Sequence, residues 1–363
     1  MGPSRARRTV YLSLPSIVFL CILAAAELLV RALAPHVSRL QLFVTAPQQH
    51  LGFTDKRSVS IFEGDPLLLW RLRAGLDRLT WDFTLVSTNA QHLRHPRPVG
   101  PKRAGAFRIV CLGDSVTFGY RVPLVDPPRT DDETRGQPYP RLLEDRLRAA
   151  HPGRDLEVIA LAVPGYSSHQ GLAWLRRDLG ELRPDLVTTC FGWNDVGLRA
   201  ATDRVAMPTD TLHTALRAAA GQSQIVAHLA LWLRRPPAPA PARLVLRVPI
   251  EEYVQNQLAI VELARGSGAA AAVVGPVYRD EITFPDEAIR LRVHRNALRG
   301  AMEARGVPYL EIPLLTEASY PENRGLFGEV IHPNAAGHRL FADALLAFLS
   351  EQGLLDGLTA SRR

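Results

Sequence analysis

From Phe107 onward, short apolar runs alternate with longer stretches whose apolar residues recur every three or four positions, and this rhythm narrows the fold more than any other feature. The runs are Arg108–Leu112, Leu156–Leu161, Leu186–Phe191, Ala270–Val274 and Tyr309–Ile312. Between them, Gln137–Ala150, Ser168–Leu182, Ile250–Arg265, Glu287–Arg305 and Ala335–Glu351 carry the helical period. Short strands that are apolar throughout, separated by helices, predict an α/β parallel sheet covered on both faces. One insertion, Leu198 to Val248, breaks the rhythm. Its end, Arg234 to Arg243, contains P-P-A-P-A-P and is expected to be an extended, exposed loop. Its stretch Ile225 to Leu233 reads as an apolar helix, packed on the surface of the domain or lying on a membrane. Upstream, residues 36–104 form a connecting region. There Asp65 to Leu76 and Leu79 to Val86 alternate apolar and polar residues as a short hairpin or edge strands would.

The N-terminus carries a second strong signal. After Arg5, Arg7 and Arg8, the stretch Val10 to Ala26 has no charge and consists mainly of leucine, isoleucine, valine and alanine. At about 1.5 Å per residue it spans roughly 26 Å, the short end of a bilayer crossing. Glu27 and Arg31 can pair at i,i+4 at the outer interface, and the helix is expected to run on to Pro35. Basic residues before the span predict a cytoplasmic N-terminus, so that all beyond about residue 36 is periplasmic or extracellular. A cleaved signal peptide is the rival, because Ala24-Ala25-Ala26 resembles a small-residue cleavage site. A lipoprotein signal fits less well, since Leu20 precedes Cys21. A buried core helix is the bland alternative. The organisation expected is an anchor over 1–35, the connecting region over 36–104 and a catalytic domain over 105–355 with the insertion 198–248.

Composition excludes several classes. A chain of 363 residues with 47% hydrophobic content can bury a full core, so disorder is excluded. The net charge of +7 is almost wholly arginine, since Lys56 and Lys102 are the only lysines. No basic cluster is interleaved with aromatics, so no nucleic-acid partner is implied. Cys21, Cys111 and Cys190 form no C-x-x-C pair, and Cys111 and Cys190 are expected to be small core residues.

In a parallel α/β sheet, reactive groups gather where strands end and helix N-termini begin. Four segments fall there. G-D-S-V-T-F-G, Gly113 to Gly119, puts Ser115 on a tight turn after a buried strand, with its backbone N–H available to an oxyanion. Val163 to Ser168 offers Gly165, whose N–H is a candidate second donor. Phe191 to Asp195 offers the side-chain amide of Asn194 as an uncharged third donor, and Trp193 either walls a pocket or packs in the core. Gly328 to Asn334 offers His332 as the base a serine nucleophile needs, with Glu329 three residues before it to orient the imidazole and Asn334 to cap the last helix. Each segment alone is ordinary turn chemistry. No H-x-x-x-H or H-E-x-x-H pairing exists, and His338 lies six residues beyond His332 along a helix, so no metal or other cofactor is implied.

Taken together, Ser115, Gly165, Asn194 and His332 stand in an order and spacing that resembles the SGNH (GDSL) hydrolase family over roughly residues 105 to 355. The stretch Ser87 to Arg94, S-T-N-A-Q-H-L-R, and the anchor with its E-L-L-V-R are similar to membrane-tethered bacterial members. The resemblance implies a three-layer α/β/α flavodoxin-like fold with a five-stranded parallel sheet and esterase, lipase or acyltransferase activity; a serine esterase acting on a small-molecule or glycan ester is the expectation. An O-acyltransferase acting on a cell-envelope glycan, or an inactive binding protein of the same fold, are the alternatives. The family usually has aspartate three residues before the histidine, where this chain has Glu329.

Overall fold

The computed structural model describes residues 5–44, 60–95, 97–124, 130, 136–233 and 244–359. The chain divides into two compact units, Met1–Ala46 with Gly64–Trp70 and Pro208–Ala240, and Pro47–Glu63 with Arg71–Met207 and Pro241–Arg363.

The smaller unit is built around one long helix, Arg5–Leu33, which ends two residues before Pro35. Its segment Pro15–Leu33 has 19 residues with mean hydropathy 2.2, and none of these residues is buried in the protein. Glu27 and Arg31 pair as expected, at 2.8 Å. Glu27 also accepts from Ser223 Oγ at 2.8 Å and from the backbone N–H groups of Gln224 and Ile225 at 2.7 and 3.1 Å. A carboxylate at this point satisfies amides that the helix Gln224–Leu233 leaves unpaired at its start. That helix buries Gln224 and Ala227, the latter in a small core with Val37, Leu42 and Phe43. It leaves Leu229 and Trp232 exposed, Trp232 at 78%. The insertion therefore holds two full helices, Thr211–Ala220 and Gln224–Leu233. The proline-rich stretch Arg234 to Arg243 lies outside the described residues.

In the larger unit the sheet strands are β5 (Phe107–Gly113), β6 (Leu156–Ala162), β7 (Leu186–Cys190), β10 (Ala270–Val274) and β11 (Tyr309–Leu310). They are all parallel, in the order β11-β10-β7-β5-β6. Every residue of β5 and β7 is buried. Successive side chains of β5 point to opposite faces. Ile109 and Cys111 meet Leu143 and Leu147 of the helix Tyr139–Ala150 and Phe341 and Leu345 of the helix Ala335–Glu351. The other face carries Ser168–Leu182 and Ile250–Gly266, which pack on each other. Even the charged residue of β5 is accommodated: Arg108 is fully buried, with its guanidinium 2.6 Å from Glu157 on β6 and donating to the Leu182 carbonyl at 2.8 Å.

The chain leaves β5 for β6 on one side and returns to β7 on the other, so the sheet reverses its winding between β5 and β7. Crevices for ligands form at such a switch point, beyond the carboxyl ends of the strands. Register makes the crevice compact, because Gly113 pairs with Ala162 on one side and with Cys190 on the other. The turns carrying Ser115, Gly165 and Asn194 thus leave the sheet at one level.

Two elements differ from the sequence pattern at their edges. The helix expected from Gln137 starts at Tyr139, because Pro138 is its N-cap and Pro140 occupies its first turn, where a missing N–H costs nothing. The strand expected to reach Ile312 stops at Leu310, where the chain turns into short 3-10 segments from Pro313. Ahead of the sheet, β1 (Phe62–Asp65), β2 (Leu69–Leu72), β3 (Leu79–Trp81) and β4 (Thr84–Val86) occupy the connecting region. β3 and β4 form an antiparallel hairpin whose two-residue turn is Asp82-Phe83, with φ of +42° and +65°. Two positive φ values are what a tight hairpin turn demands, here met without glycine or asparagine. All three cysteines are free, with Cys111 and Cys190 buried in the core and Cys21 exposed.

Candidate active site

Ser115 opens the one-turn helix Ser115–Phe118. Asp114 caps that turn, accepting from the Val116 N–H at 2.9 Å. The turn can fold this tightly only because residue 113 is glycine. A Cβ there would lie 2.0 Å from Thr117 Oγ1 and 3.0 Å from the Cys190 carbonyl. The far end of the turn is held by Arg94, the last residue of the S-T-N-A-Q-H-L-R stretch. Its buried guanidinium donates to the carbonyls of Phe118 and Gly119, both at 2.7 Å, and of Val122 at 2.5 Å, and it lies over the Phe118 ring. These are carbonyls that a short helix leaves without partners.

His332 approaches from the loop before the helix Ala335–Glu351, and its Nε2 lies 2.7 Å from Ser115 Oγ. The Nδ1 of the same ring bonds the Glu329 carboxylate. Asn334 caps the helix by accepting from the N–H groups of Ala336 and Gly337 at 2.9 and 3.1 Å. Burial works against an ionised Glu329, yet the hydrogen bond and charge of His332, with the charge of Arg121, hold its carboxyl below the ordinary range. The Tyr120 ring packs on the imidazole with centroids 4.2 Å apart. Asp82, at the hairpin tip, takes the Arg121 guanidinium at 2.8 Å and hydrogen-bonds the Tyr120 hydroxyl. A carboxylate on the hairpin thereby fixes the ring that backs the histidine.

Gly165 has φ of +84°, the left-handed conformation that glycine adopts without strain. Asn194 joins the neighbouring turns: its Nδ2 donates to the Tyr166 carbonyl at 3.0 Å and to Asp114 Oδ2 at 3.2 Å. Burial pushes the Asp114 carboxyl up to about 6, against the hydrogen bonds from the Val116 N–H and Asn194 and the charge of His332. Ser115, Gly165, Asn194, His332 and Glu329 all line one cavity of about 380 Å³, a size that suits a small-molecule ligand. Trp193 forms part of its wall, edge-on to Phe284 with centroids 6.1 Å apart. His338 is elsewhere, buried beside Tyr139 and accepting from the Tyr139 N–H at 3.2 Å.

A set of residues that no motif picks out supports the Gly165 turn. Arg247, 2% exposed, donates to the Gly165 carbonyl at 2.5 Å, to Gln170 Oε1 at 2.5 Å and to both oxygens of Asp203 at 2.8 and 2.9 Å. Asp203 also accepts from Ser167 Oγ at 2.5 Å. These two charged residues sit at the two ends of the insertion. There β8 (Leu198–Arg199) pairs with β9 (Val245–Leu246), and the Asp203 N–H donates to the Arg247 carbonyl at 2.9 Å. In an arginine-rich chain nothing local distinguishes Arg247 from its neighbours. Asp82 and Tyr120 are equally silent in sequence, because their partners are dozens of residues away.

Comparison with known proteins gives the following relationships. The model of the GDSL-like lipase/acylhydrolase family matches residues 111–340. An arylesterase from Vibrio mimicus is 34% identical over 98 residues, 27% of this chain, and the match spans 42% of that protein's length. Among solved structures, an alpha/beta hydrolase enzyme from the metagenome of Lake Arreo, Spain, is 22% identical, covering 68% of this chain and 97% of its own, with a TM-score of 0.44. A lipase/acylhydrolase from Enterococcus faecalis is 20% identical, covering 68% and 96%, with a TM-score of 0.44. A catalytic mutant of an acetylxylan esterase from Geobacillus stearothermophilus is 17% identical, covering 69% and 95%, with a TM-score of 0.42.

Proposed function

This chain belongs to the GDSL-like lipase/acylhydrolase family, and from that premise we propose that it is a serine ester hydrolase whose nucleophile is Ser115 and whose base is His332. The observation that carries the reading is the contact of 2.7 Å between Ser115 Oγ and His332 Nε2, with Glu329 on the other ring nitrogen. A serine hydroxyl at its ordinary pKa is a weak nucleophile, and an imidazole oriented by a carboxylate supplies the missing basicity. His332 takes the proton as Ser115 attacks the acyl carbonyl. The oxyanion that forms is held by the N–H groups of Ser115 and Gly165 and by the Asn194 amide, which trades its contact with Asp114 for the new acceptor. The leaving alcohol departs with the proton from His332. Water, deprotonated in turn by His332, then releases the acyl group.

The anchor completes the proposal. The apolar segment Pro15–Leu33 is about 28 Å long at 1.5 Å per residue and follows Arg5, Arg7 and Arg8. These features support a single-pass protein with an anchor over 1–35, a connecting region over 36–104 and a hydrolase domain over 105–355 outside the cytoplasm.

Purified protein should hydrolyse short-chain esters and label at Ser115 with a fluorophosphonate probe. Absence of both in folded protein would refute the hydrolase assignment, and preferential transfer to an added sugar acceptor would redirect it to acyl transfer. A reporter fused after Arg363 that is active only in the cytoplasm should be silent, and a mature N-terminus at Glu27 would show a cleaved signal in place of an anchor.

A further inference from the structure

We propose that the cavity beside Ser115 takes esters that carry an anionic group, held by Arg199. This rests on the hydrolase reading and names its substrate class. Four charged side chains line the cavity: Arg121, Arg199, Glu287 and Glu329. Three of them already have ionic partners. Arg121 pairs with Asp82 at 2.8 Å, Glu287 with Arg290 at 2.8 Å, and Glu329 with His332. Arg199 does not. Its guanidinium Nη1 donates to the Leu198 carbonyl at 2.9 Å, and among the described residues no carboxylate lies within ion-pair distance.

The position of this cation is built, not incidental. Arg199 lies on β8, which is tied to β9 by the pairing of Arg199 with Val245, and the Arg247 N–H donates to the Gly197 carbonyl at 2.7 Å. Gly197 lies beside it: a Cβ at that residue would be in ordinary contact, 3.7 Å from Arg199 Nη1 and 3.4 Å from the Asn194 carbonyl. The guanidinium therefore stands next to the loop that carries Asn194 and lines the same cavity as the proposed oxyanion donors. Burial and the neighbouring Arg247 charge disfavour its protonated form, against the attraction of the Asp203 charge. An anion in the cavity would offset that penalty. Arginine offers five donors in a planar fork, most of them still open here to the two oxygens of a carboxylate or to a phosphate. Trp193 and Phe284 give the body of such a substrate an apolar wall.

The test uses full-length protein and three esters of matched shape: 4-acetoxybenzoate, 4-acetoxyphenyl phosphate and the neutral methyl 4-acetoxybenzoate, each corrected for its own rate of alkaline hydrolysis. Wild type should favour at least one anionic ester over the neutral one in kcat/KM by about tenfold or more, the range of a charge-assisted contact. Which anion wins separates carboxylate from phosphate. Arg199→Gln should bring the ratio close to one, Arg199→Lys should keep part of it, and added salt should shrink it. Hydrolysis of all three esters with a ratio near one, or a ratio that Arg199→Gln leaves in place, overturns the proposal while the hydrolase reading stands. Calorimetric titration of the same esters into Ser115→Ala protein decides the matter without turnover. Tighter binding of an anionic ester, lost in Ser115→Ala/Arg199→Gln, supports the site even if no ester is cleaved. Equal affinities overturn it.

Discussion

Arg247 donates to the carbonyl of Gly165 at 2.5 Å across 82 residues of chain, and the same guanidinium is neutralised by Asp203. The bond fixes the peptide next to the N–H that we assign to the oxyanion, so Arg247 acts as a positioning residue. Arg247→Met alone should lower stability by about 3–5 kcal/mol, because it strands a buried Asp203. Arg247→Met combined with Asp203→Asn removes both charges and should fold. The double variant should show kcat reduced about tenfold with little change in KM, as expected when only transition-state binding is loosened. Wild-type kcat in the folded double variant would leave Arg247 with a purely structural role.

Asn194 shares its amide between Tyr166 and Asp114 in the resting site. Asn194→Ala should reduce kcat by about 10²–10³, the usual effect of losing one oxyanion donor. Ser115→Ala should abolish turnover, and both should keep the wild-type circular dichroism spectrum. A drop confined to KM in Asn194→Ala would point to substrate binding and away from the oxyanion.

Glutamate is one methylene longer than the aspartate common in this family, and the turn from Glu329 to His332 absorbs the difference. The carboxylate reaches Nδ1 and leaves Nε2 facing Ser115. Glu329→Asp should retain substantial activity. Glu329→Gln should lose most of it, since an amide neither stabilises the imidazolium nor fixes the tautomer. Near wild-type kcat for Glu329→Gln, beside an inactive His332→Ala, would reduce the machinery to a dyad.

Asp195 is buried and bonded by the N–H and Oγ of Ser168, at 3.0 and 2.5 Å. Burial pushes its carboxyl up to about 7, against those bonds and the charge of Arg247. A raised folded pKa means that the native state binds the proton more tightly than the unfolded chain. The stabilisation is then full below about pH 3.9 and is lost as pH rises through 7, at no more than about 1.4 kcal/mol per unit. Asp195→Asn keeps the shape and removes the titration. The Tm of wild type minus that of Asp195→Asn should therefore be larger at pH 5 than at pH 8. A difference that is flat across this range would show that Asp195 stays ionised throughout.

Much of this molecule was legible from local pattern. Periodicity depends only on neighbours within a turn or two, so the five strands and the helices Ser168–Leu182 and Ala335–Glu351 could be read directly, with errors confined to ends such as Pro138 and Leu310. Ser115, Gly165, Asn194 and His332 each lie on a short turn next to a strand or helix end, and it is their order and spacing as a set that makes them legible. Glu329 stood out because its partner is three residues away. The rest depended on distance. Asp82 reaches Tyr120 and Arg121 only because a hairpin turn takes positive φ at two ordinary residues. Arg247 reaches Gly165 only because β8 and β9 close the insertion, and among the described residues that same closure leaves Arg199 with no carboxylate at ion-pair distance. A side chain's residue type states what it can bond, and its local spacing states which face it takes. Which of many arginines meets a carboxylate, a carbonyl or an open cavity is decided by the packing of segments far apart in the chain, and only the tertiary structure determines that.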